Sequence, residues 1–385
     1  MSAPLTILVS AMLGEVPGQG GWAWAVLQYL LGLKRLGHRA VLIEPLAPEA
    51  VRPQGVAFGA SANAAYFRQV LQPYGLLDDA ALMLRGTRQT VGLTYDEVME
   101  IAGQADVLLN LSGRLQDREM VGRVPLRVYL DLDPAFTQLW QVAHGIDMHL
   151  SGHTHHVTVG SAIGQPGCPV PTCGLSWITL HPPVVLEHWP RADPIVHEGL
   201  TTIAHWRGYG SAEYEGVFYG QKAHSLRQFI DLPTRCSERF ILALGIHPDE
   251  TDDLRALHNN RWELLDPACV AHTPHAYQQF VQGSKAEFGI AKSGYVLSRC
   301  GWFSDRSVCY LASGRPVIAQ DTGFSSFLPT GEGLFAFETA DQFLSALERL
   351  NEDYPRHALA ARRLAEEHFD SDRVLNSLLH QIGAC

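Results

Sequence analysis

The stretch from Lys292 to Gly323, KSGYVLSRCGWFSDRSVCYLASGRPVIAQDTG, concentrates residue types that could hold an anion. It carries Lys292, Arg299, Arg306 and Arg315 against Asp305 and Asp321, a local excess of +2 in a chain of formal net charge −11. Its pattern predicts a strand near Gly294–Arg299, a turn at Cys300-Gly301-Trp302 and a helix with Ser304 or Asp305 as N-cap, where a short oxygen side chain accepts first-turn amide hydrogens. The free amides and partial positive charge of such a helix start suit a phosphate. Gly314 fits the helix end, where a left-handed residue costs least without a Cβ. Val317–Ala319 is an apolar run for a parallel strand covered on both faces. Asp321-Thr322-Gly323 then falls beyond that strand's carboxyl end, where open α/β sheets bind ligands. An ordinary βαβ unit with surface arginines would carry the same residues, so the rest of the chain must decide.

Other reactive residue types recur at strand ends. Asp131 and Asp133 follow a predicted strand over Arg127–Leu130, and carboxylates there can act as a base or hold a hydroxyl, or simply build an Asp-Pro turn. His153, His155 and His156 lie within four residues. No HExxH or CxxC partner is near, and Cys168 and Cys173 are spaced x4 in a proline-rich segment, so an acid, base or hydroxyl-binding role suits these histidines better than a metal site. Further on, the loop His205-Trp206-Arg207-Gly208-Tyr209-Gly210 follows a predicted strand, and Lys222 opens a helix.

Two α/β halves position these residues. Leu5–Met12 reads as a strand, Gly14 to Gly21 as a glycine-rich loop containing Glu15, Gly18, Gly20 and Gly21, and Trp22–Leu36 as a helix of period 3.6. The loop is neither GxGxxG nor GxxxxGK[ST], which argues against a Rossmann dehydrogenase or a P-loop nucleotidase. Residues 46–95 read as loops and helices, followed by a capping box at Thr94 and Glu97 and a strand at Val107–Leu111. Prolines at 166, 169, 171, 182, 183, 190 and 194 suggest an interdomain linker. The second half starts with Leu200–Ala204, and further strands follow at Phe240–Ile246 and Trp262–Leu265, then a helix at Pro274–Gly283. Amphipathic helices close the chain.

At 385 residues, with 46% apolar and 18% charged, the chain is globular and long enough for two domains. A pI near 5.9 argues against a nucleic-acid partner. No apolar run reaches bilayer length, the start lacks the basic residues of a signal peptide, and seven scattered cysteines fit reduced thiols in a cytoplasmic protein.

Taken together, the chain resembles the GT-B-fold, sugar-nucleotide-dependent glycosyltransferases over nearly its whole length. The glycine loop and the helix ending Leu36-Gly37-His38 resemble their acceptor-domain opening. Arg207 and Lys222 resemble the Arg and Lys that hold the donor diphosphate in retaining members. Arg299-Cys300-Gly301-Trp302-Phe303-Ser304 with Gly314-Arg315-Pro316-Val317 resembles the donor signature HCGWNS…GxP, and EEHFDSDRVL the final helix that crosses back. Arg299 replaces the signature's His, the segment from Trp302 to Gly314 is two residues longer, and the retaining pattern's glutamates would fall at Trp302 and Cys309. Asp305 or Asp321 could replace the missing ribose contact.

The resemblance implies two Rossmann-like α/β domains facing across a deep cleft: 1–195 on the acceptor side, 196–365 for the donor, and 366–385 as the crossing helix. It implies transfer of a sugar from a nucleotide-diphosphate donor to a hydroxyl of a small-molecule or glycan acceptor, with neither metal nor cofactor. The donor site would comprise Arg207, Lys222, Lys292, Arg299, Ser304, Asp305, Arg306, Asp321 and Gly323. Gly18, Gly20 and Gly21 would form the acceptor-side loop. Asp131, Asp133, His153 and Glu15 are the candidate bases. A nucleotide-sugar epimerase and a non-catalytic nucleotide-sugar binding protein are the alternatives; the first needs no acceptor, the second turns nothing over.

Overall fold

A computed structural model describes residues 3–384. Met1, Ser2 and Cys385 lie outside the described residues, so the domain and helix boundaries drawn through them, and the seventh cysteine, are not described.

The first sheet has eight strands in the order β4-β3-β2-β1-β5-β6-β7-β8. They are β1 Thr6–Ser10, β2 Arg39–Leu46, β3 Ala80–Leu84, β4 Thr90–Gly92, β5 Val107–Leu111, β6 Leu126–Asp131, β7 His155–Thr158 and β8 Trp177–Thr179. All neighbours are parallel except β3 and β4. The second domain begins with β9 His197–His205, followed by the hairpin β10 Ala212–Tyr214 and β11 Val217–Tyr219. Its sheet is all parallel, in the order β13-β12-β9-β14-β15-β16. The remaining strands are β12 Phe240–Gly245, β13 Glu263–Leu265, β14 Ser284–Gly289, β15 Val317–Gln320 and β16 Leu334–Phe337. The central strands β1, β5, β12 and β15 are almost wholly buried, as helices on both faces require.

The helix Gly20–Arg35 joins the halves. Apolar side chains are buried nearly all round it, among them Trp24, Val26, Leu27, Leu30 and Leu33. It packs on the second domain's helix Pro274–Gly283 and on the last helix, Ser371–Gln381. A Cβ on Gly20 would collide with the Thr273 carbonyl, and one on Gly21 would come within 2.8 Å of the Tyr277 ring. The Gly20 amide donates to the Ala271 carbonyl at 2.7 Å. These glycines are therefore contact points between domains. The last helix is seated by Leu375 and Leu378 in the same core and by Asp372 against Arg35 at 3.1 Å.

Several sequence expectations need correction. The run expected as a strand near Gly294–Arg299 is the helix Ser293–Ser298, and the strand is β14, ten residues earlier at its start. Strands β3 and β4 occupy the region read as loops and helices. The proline-rich segment is largely packed: it contributes β8, and Trp189 is fully buried against Trp24 with ring centroids 4.9 Å apart. The helix Pro274–Gly283, the capping box at Thr94 and the helix after Ser304 agree with the sequence pattern.

Replacing Gly20 with Ala tests the seam directly. The added methyl must push helix Gly20–Arg35 off the 271–274 loop, and about 3 kcal/mol of stability should be lost in urea unfolding, more than the ~1 kcal/mol that Ala gains as a helix former. An unchanged midpoint would mean that the two domains do not meet at this glycine.

Candidate functional site

The carboxyl ends of β9, β14 and β15 converge on one basic site. Lys222 opens the helix that follows β9 and the hairpin, and its ammonium donates to the Ile290 carbonyl just past β14. Arg306 stands in the first turn of the helix Asp305–Ala312. Its Nε donates to Glu287 on β14 at 2.5 Å, and its Nη1 to the Ile203 carbonyl on β9 at 3.0 Å. Glu287 has no solvent exposure, and its second oxygen has no hydrogen-bond partner. Burial opposes the Arg306 charge, but Glu287 more than offsets it and holds the guanidinium protonated. Lys222 has no such carboxylate. Desolvation, then the Arg306 and Lys292 charges, hold its pKa well below that of an ordinary lysine, with Glu287 opposing.

A small cavity, about 10 Å³, opens beside Arg306, lined by Ile290, Ala291, Trp302, Ser304, Arg306 and Gln320. That is room for about one water. Ser304 is the N-cap, yet its hydroxyl caps no amide, so the first turn has no side-chain cap from that residue. Asp305 keeps its side chain exposed although surrounded by protein, which raises its carboxyl pKa while Arg306 opposes the shift. The His205 Nε2 lies 3.4 Å from Gln19 Oε1, which brings the glycine-rich loop over this site. Burial, Lys222 and Lys292 all lower the His205 pKa.

A second seam joins the domains beside the cavity. The Asp133 carboxylate accepts from Lys292 Nζ at 3.2 Å, from Tyr295 Oη at 2.6 Å and from Tyr209 Oη. Burial opposes the Asp133 charge, but Lys292 and the two phenols outweigh it and keep the acid ionised. Lys292 Nζ also lies 3.5 Å from the Tyr209 ring centroid. Backbone contacts continue the seam: the Ala162 amide donates to the Cys300 carbonyl at 3.0 Å, and Gly160 bridges to Trp302.

The other sequence-predicted residues fall elsewhere. Arg207 is exposed and ion-paired with Glu250. Arg299 pairs with Glu338 at 3.0 Å and lies 3.8 Å from Asp321. Asp321 is consumed by a turn, accepting from the Gly323 amide at 2.9 Å and the Ser325 hydroxyl at 2.6 Å. Gly323 has φ +93° and sits against the Arg299 backbone. Arg315 is turned away, bonded to the Gln282 carbonyl at 2.7 Å and to that of Pro194 at 3.3 Å. Gly18 has φ +85° and open space around it.

Among the candidate bases, Asp131 and His153 are both taken up in hydrogen bonds within the first domain. Asp131 is fully buried, and Thr137, Gln138 and Thr158 side chains and the Asp133 amide saturate its carboxylate, so it meets no acceptor in this conformation. His153 stands at the amino end of β7, its Nε2 3.0 Å from Asn110 Nδ2. The imidazoles of His155 and His156 turn to the Thr154 hydroxyl and the Leu150 carbonyl, and no cluster of three or more metal-ligand types forms among the described residues. Glu15 lies beyond β1 in an ion pair with Arg114.

Glu44 carries no signal in the sequence. It ends no motif, yet its buried carboxylate accepts the amides of Gly14 at 2.7 Å and Glu15 at 2.8 Å and so anchors the glycine-rich loop. Burial lifts its pKa to about 8, with the backbone at Gly14 and Leu13 opposing. A groove of about 510 Å³ lies at the opposite, amino end of the second sheet, lined by Val196, His197, Cys269 and Phe280, away from these groups. No helix among the described residues is long and apolar enough to cross a membrane.

No family model matches the chain, and no curated protein matches it in sequence. Solved structures match across its whole length. HepE (Alr3699) of Anabaena, in complex with UDP and glucose, is 14% identical, with 99% of this chain and 100% of that chain covered at a TM-score of 0.59. An alpha-glucosyltransferase in complex with UDP-glucose and DNA containing an abasic site is 11% identical, with 99% and 100% covered and a TM-score of 0.62. A glycosyltransferase from Rickettsia africae is 13% identical, with 100% and 99% covered and a TM-score of 0.57. These likenesses establish the fold: the chain has the GT-B architecture of two Rossmann-like α/β domains.

Two stability measurements check the site's electrostatics. Arg306→Met leaves Glu287 buried without a counter-ion and should cost about 3–5 kcal/mol, whereas adding Glu287→Leu should recover at least half of that. Equal losses in the single and double variants would mean that the pair is not coupled. For Glu44, the folded pKa near 8 exceeds the ordinary 4.5, so the folded state keeps a proton that the unfolded chain releases between them. Its contribution to stability is full below 4.5, falls as pH climbs through 8, and then levels. Glu44→Gln lacks this slope, so its stability relative to wild type should rise by about 4 kcal/mol between about pH 5 and about pH 8.5. Parallel pH curves would overturn the assignment.

Proposed function

We propose that the protein is a glycosyltransferase that takes a nucleoside diphosphate sugar and passes the sugar to an acceptor hydroxyl without a metal. The diphosphate lies against Lys222, Lys292, Arg306 and the amino end of helix Asp305–Ala312, where fixed cations and amide donors meet the charge that develops on the leaving group. The observation that carries the reading is Lys222: an ammonium deep in the cleft, beside two further cations, whose hydrogen-bond partner is a neutral carbonyl. Such a group is costly in the free protein and is matched only by an incoming anion.

Asp305, exposed at the rim, is positioned to bind the ribose hydroxyls, a role that Asp321 cannot share while its carboxylate closes a turn. Asp133 is the candidate base for an inverting reaction, ionised at the carboxyl end of β6. Its bond to Lys292 must loosen first, and a diphosphate that draws Lys292 away would free it. UDP-glucose is the first donor to try, because HepE and the alpha-glucosyltransferase were each solved with it.

A thermal-shift screen with UDP and UDP-glucose tests this directly. Ligand at 100 times its dissociation constant should stabilise wild type by about 2.7 kcal/mol. Lys222→Met should lose that shift while melting no lower than wild type without ligand, since it removes an unmatched buried charge. A wild type that no nucleoside diphosphate stabilises would defeat the donor-site reading.

A further inference from the structure

We propose that Tyr295 and Tyr209 are positioning residues for the candidate base Asp133, holding its carboxylate from across the cleft so that one oxygen is left for the acceptor. The inference rests on the base proposed above and concerns what fixes it in place. Asp133 belongs to the first domain, but the side chains that bond its carboxylate, Lys292, Tyr295 and Tyr209, all belong to the second. Among the described residues, no first-domain group donates to it.

Each of these bonds ends on Oδ1. A carboxylate oxygen has about two lone-pair sites, so Oδ1 is fully subscribed. Oδ2 accepts no bond from a described residue, and 31% of the side chain's surface stays open. The proton of an acceptor hydroxyl therefore goes to Oδ2. Of the donors, Lys292 is held least closely: its Nζ stands 3.2 Å from Oδ1, against 2.6 Å for Tyr295 Oη. When the diphosphate draws the ammonium away, the carboxylate gains basicity and the phenols keep it from turning.

The phenols suit that task because neighbouring rings lock them. Tyr295 stacks on Trp302 with centroids 4.3 Å apart and meets Phe136 edge-on at 5.4 Å. Tyr209 stands edge-on to Phe136 at 5.2 Å and to Trp140 at 4.8 Å, both on the first-domain helix Phe136–Ala143. Gly294 allows this approach, since a Cβ there would collide with the Phe136 ring. The phenol hydroxyls reach Asp133 only while the domains are shut, so the base takes its working orientation in the closed enzyme. In the transfer itself, the acceptor O–H bond breaks and its proton joins Oδ2. The acceptor oxygen bonds to the sugar carbon, and the electron pair of the sugar–phosphate bond leaves with the diphosphate. Burial opposes the Asp133 charge, while Lys292 and the two phenols hold the carboxyl low, in keeping with these contacts.

UDP release from UDP-glucose, with water as acceptor, reads the role when followed between about pH 4 and about pH 9 in wild type, Tyr295→Phe, Tyr209→Phe and Asp133→Asn. Tyr295→Phe keeps the stacked ring and loses only the hydroxyl. It should bind UDP within about threefold of wild type by calorimetry, which shows that it is folded, and turn over about 10- to 100-fold more slowly with KM nearly unchanged. The acid limb of its kcat profile should move to higher pH, because a donor to the ionised carboxylate is gone. Tyr209→Phe should behave alike, and Asp133→Asn should be slower by about 100-fold or more. If Asp133→Asn is slow but both phenylalanine variants keep the wild-type kcat and acid limb, the positioning role is overturned and the base stands. Asp133→Asn at full rate, or a wild type that releases no UDP at any pH, removes the base and this role together.

Discussion

The structure depends on the double burial of helix Gly20–Arg35. A helix whose apolar residues run nearly all round it must be covered on every side. Here the first sheet covers one side, and the helix Pro274–Gly283 and the last helix cover the rest. Trp24 shows how tightly this is done: its indole donates to the Pro274 carbonyl at 2.8 Å while its ring meets Tyr74 and Trp189. Gln28 bridges the Val185 amide at 2.7 Å and approaches Cys309 at 3.9 Å. One apolar hinge thereby fixes the carboxyl ends of the two sheets toward each other. The opposite seam, through Asp133, Lys292, Tyr209 and Tyr295, is polar, and water can replace its bonds when the domains part. Opening should therefore proceed from the polar side about the apolar one.

The same asymmetry governs charge. An acidic chain keeps its basic residues at this site in two states. Arg306 is matched by a buried carboxylate and serves as a fixed fork. Lys222 has only a neutral carbonyl as its partner, which costs folding free energy. The pair and the single charge are one design: Glu287 neutralises the nearest cation, so the site accepts a charged lysine, yet it does not neutralise the lysine itself.

Sequence patterns revealed the elements whose local chemistry is self-sufficient. Thr94 and Glu97 cap their helix with their own side chains, and Thr273 before Pro274 does the same for the next domain's interface helix. Strand β14 escaped because a buried strand carrying Lys285 and Glu287 lacks an apolar run; the glutamate is acceptable only beside an arginine 19 positions later. Asp131 and Asp133 looked equivalent, two residues apart. The first points into a cage of hydroxyl and amide donors and the second across the domain seam, a difference set by residues up to 162 positions away. Arg207 looked free because its partner Glu250 is 43 residues distant. Ion pairing across long separations is invisible to spacing.

Position 309 shows how the fold and the proposed site constrain each other. A glutamate there would have to enter the hinge, where Cys309 is buried against Gln28 and its thiol pKa is raised first by burial and then by Asp305. A carboxylate in that apolar contact would need a counter-charge that helix Gly20–Arg35 does not offer: its two basic residues, Lys34 and Arg35, lie in the last turn. Burial at this point of the helix therefore makes a carboxylate costly, with Arg306 the nearby cation that acts on it. Asp305, one turn earlier, is the nearest position where a carboxylate can reach solvent, stand beside Arg306 and leave the hinge intact. The departure at Cys309 and the acid at Asp305 follow from the same requirement.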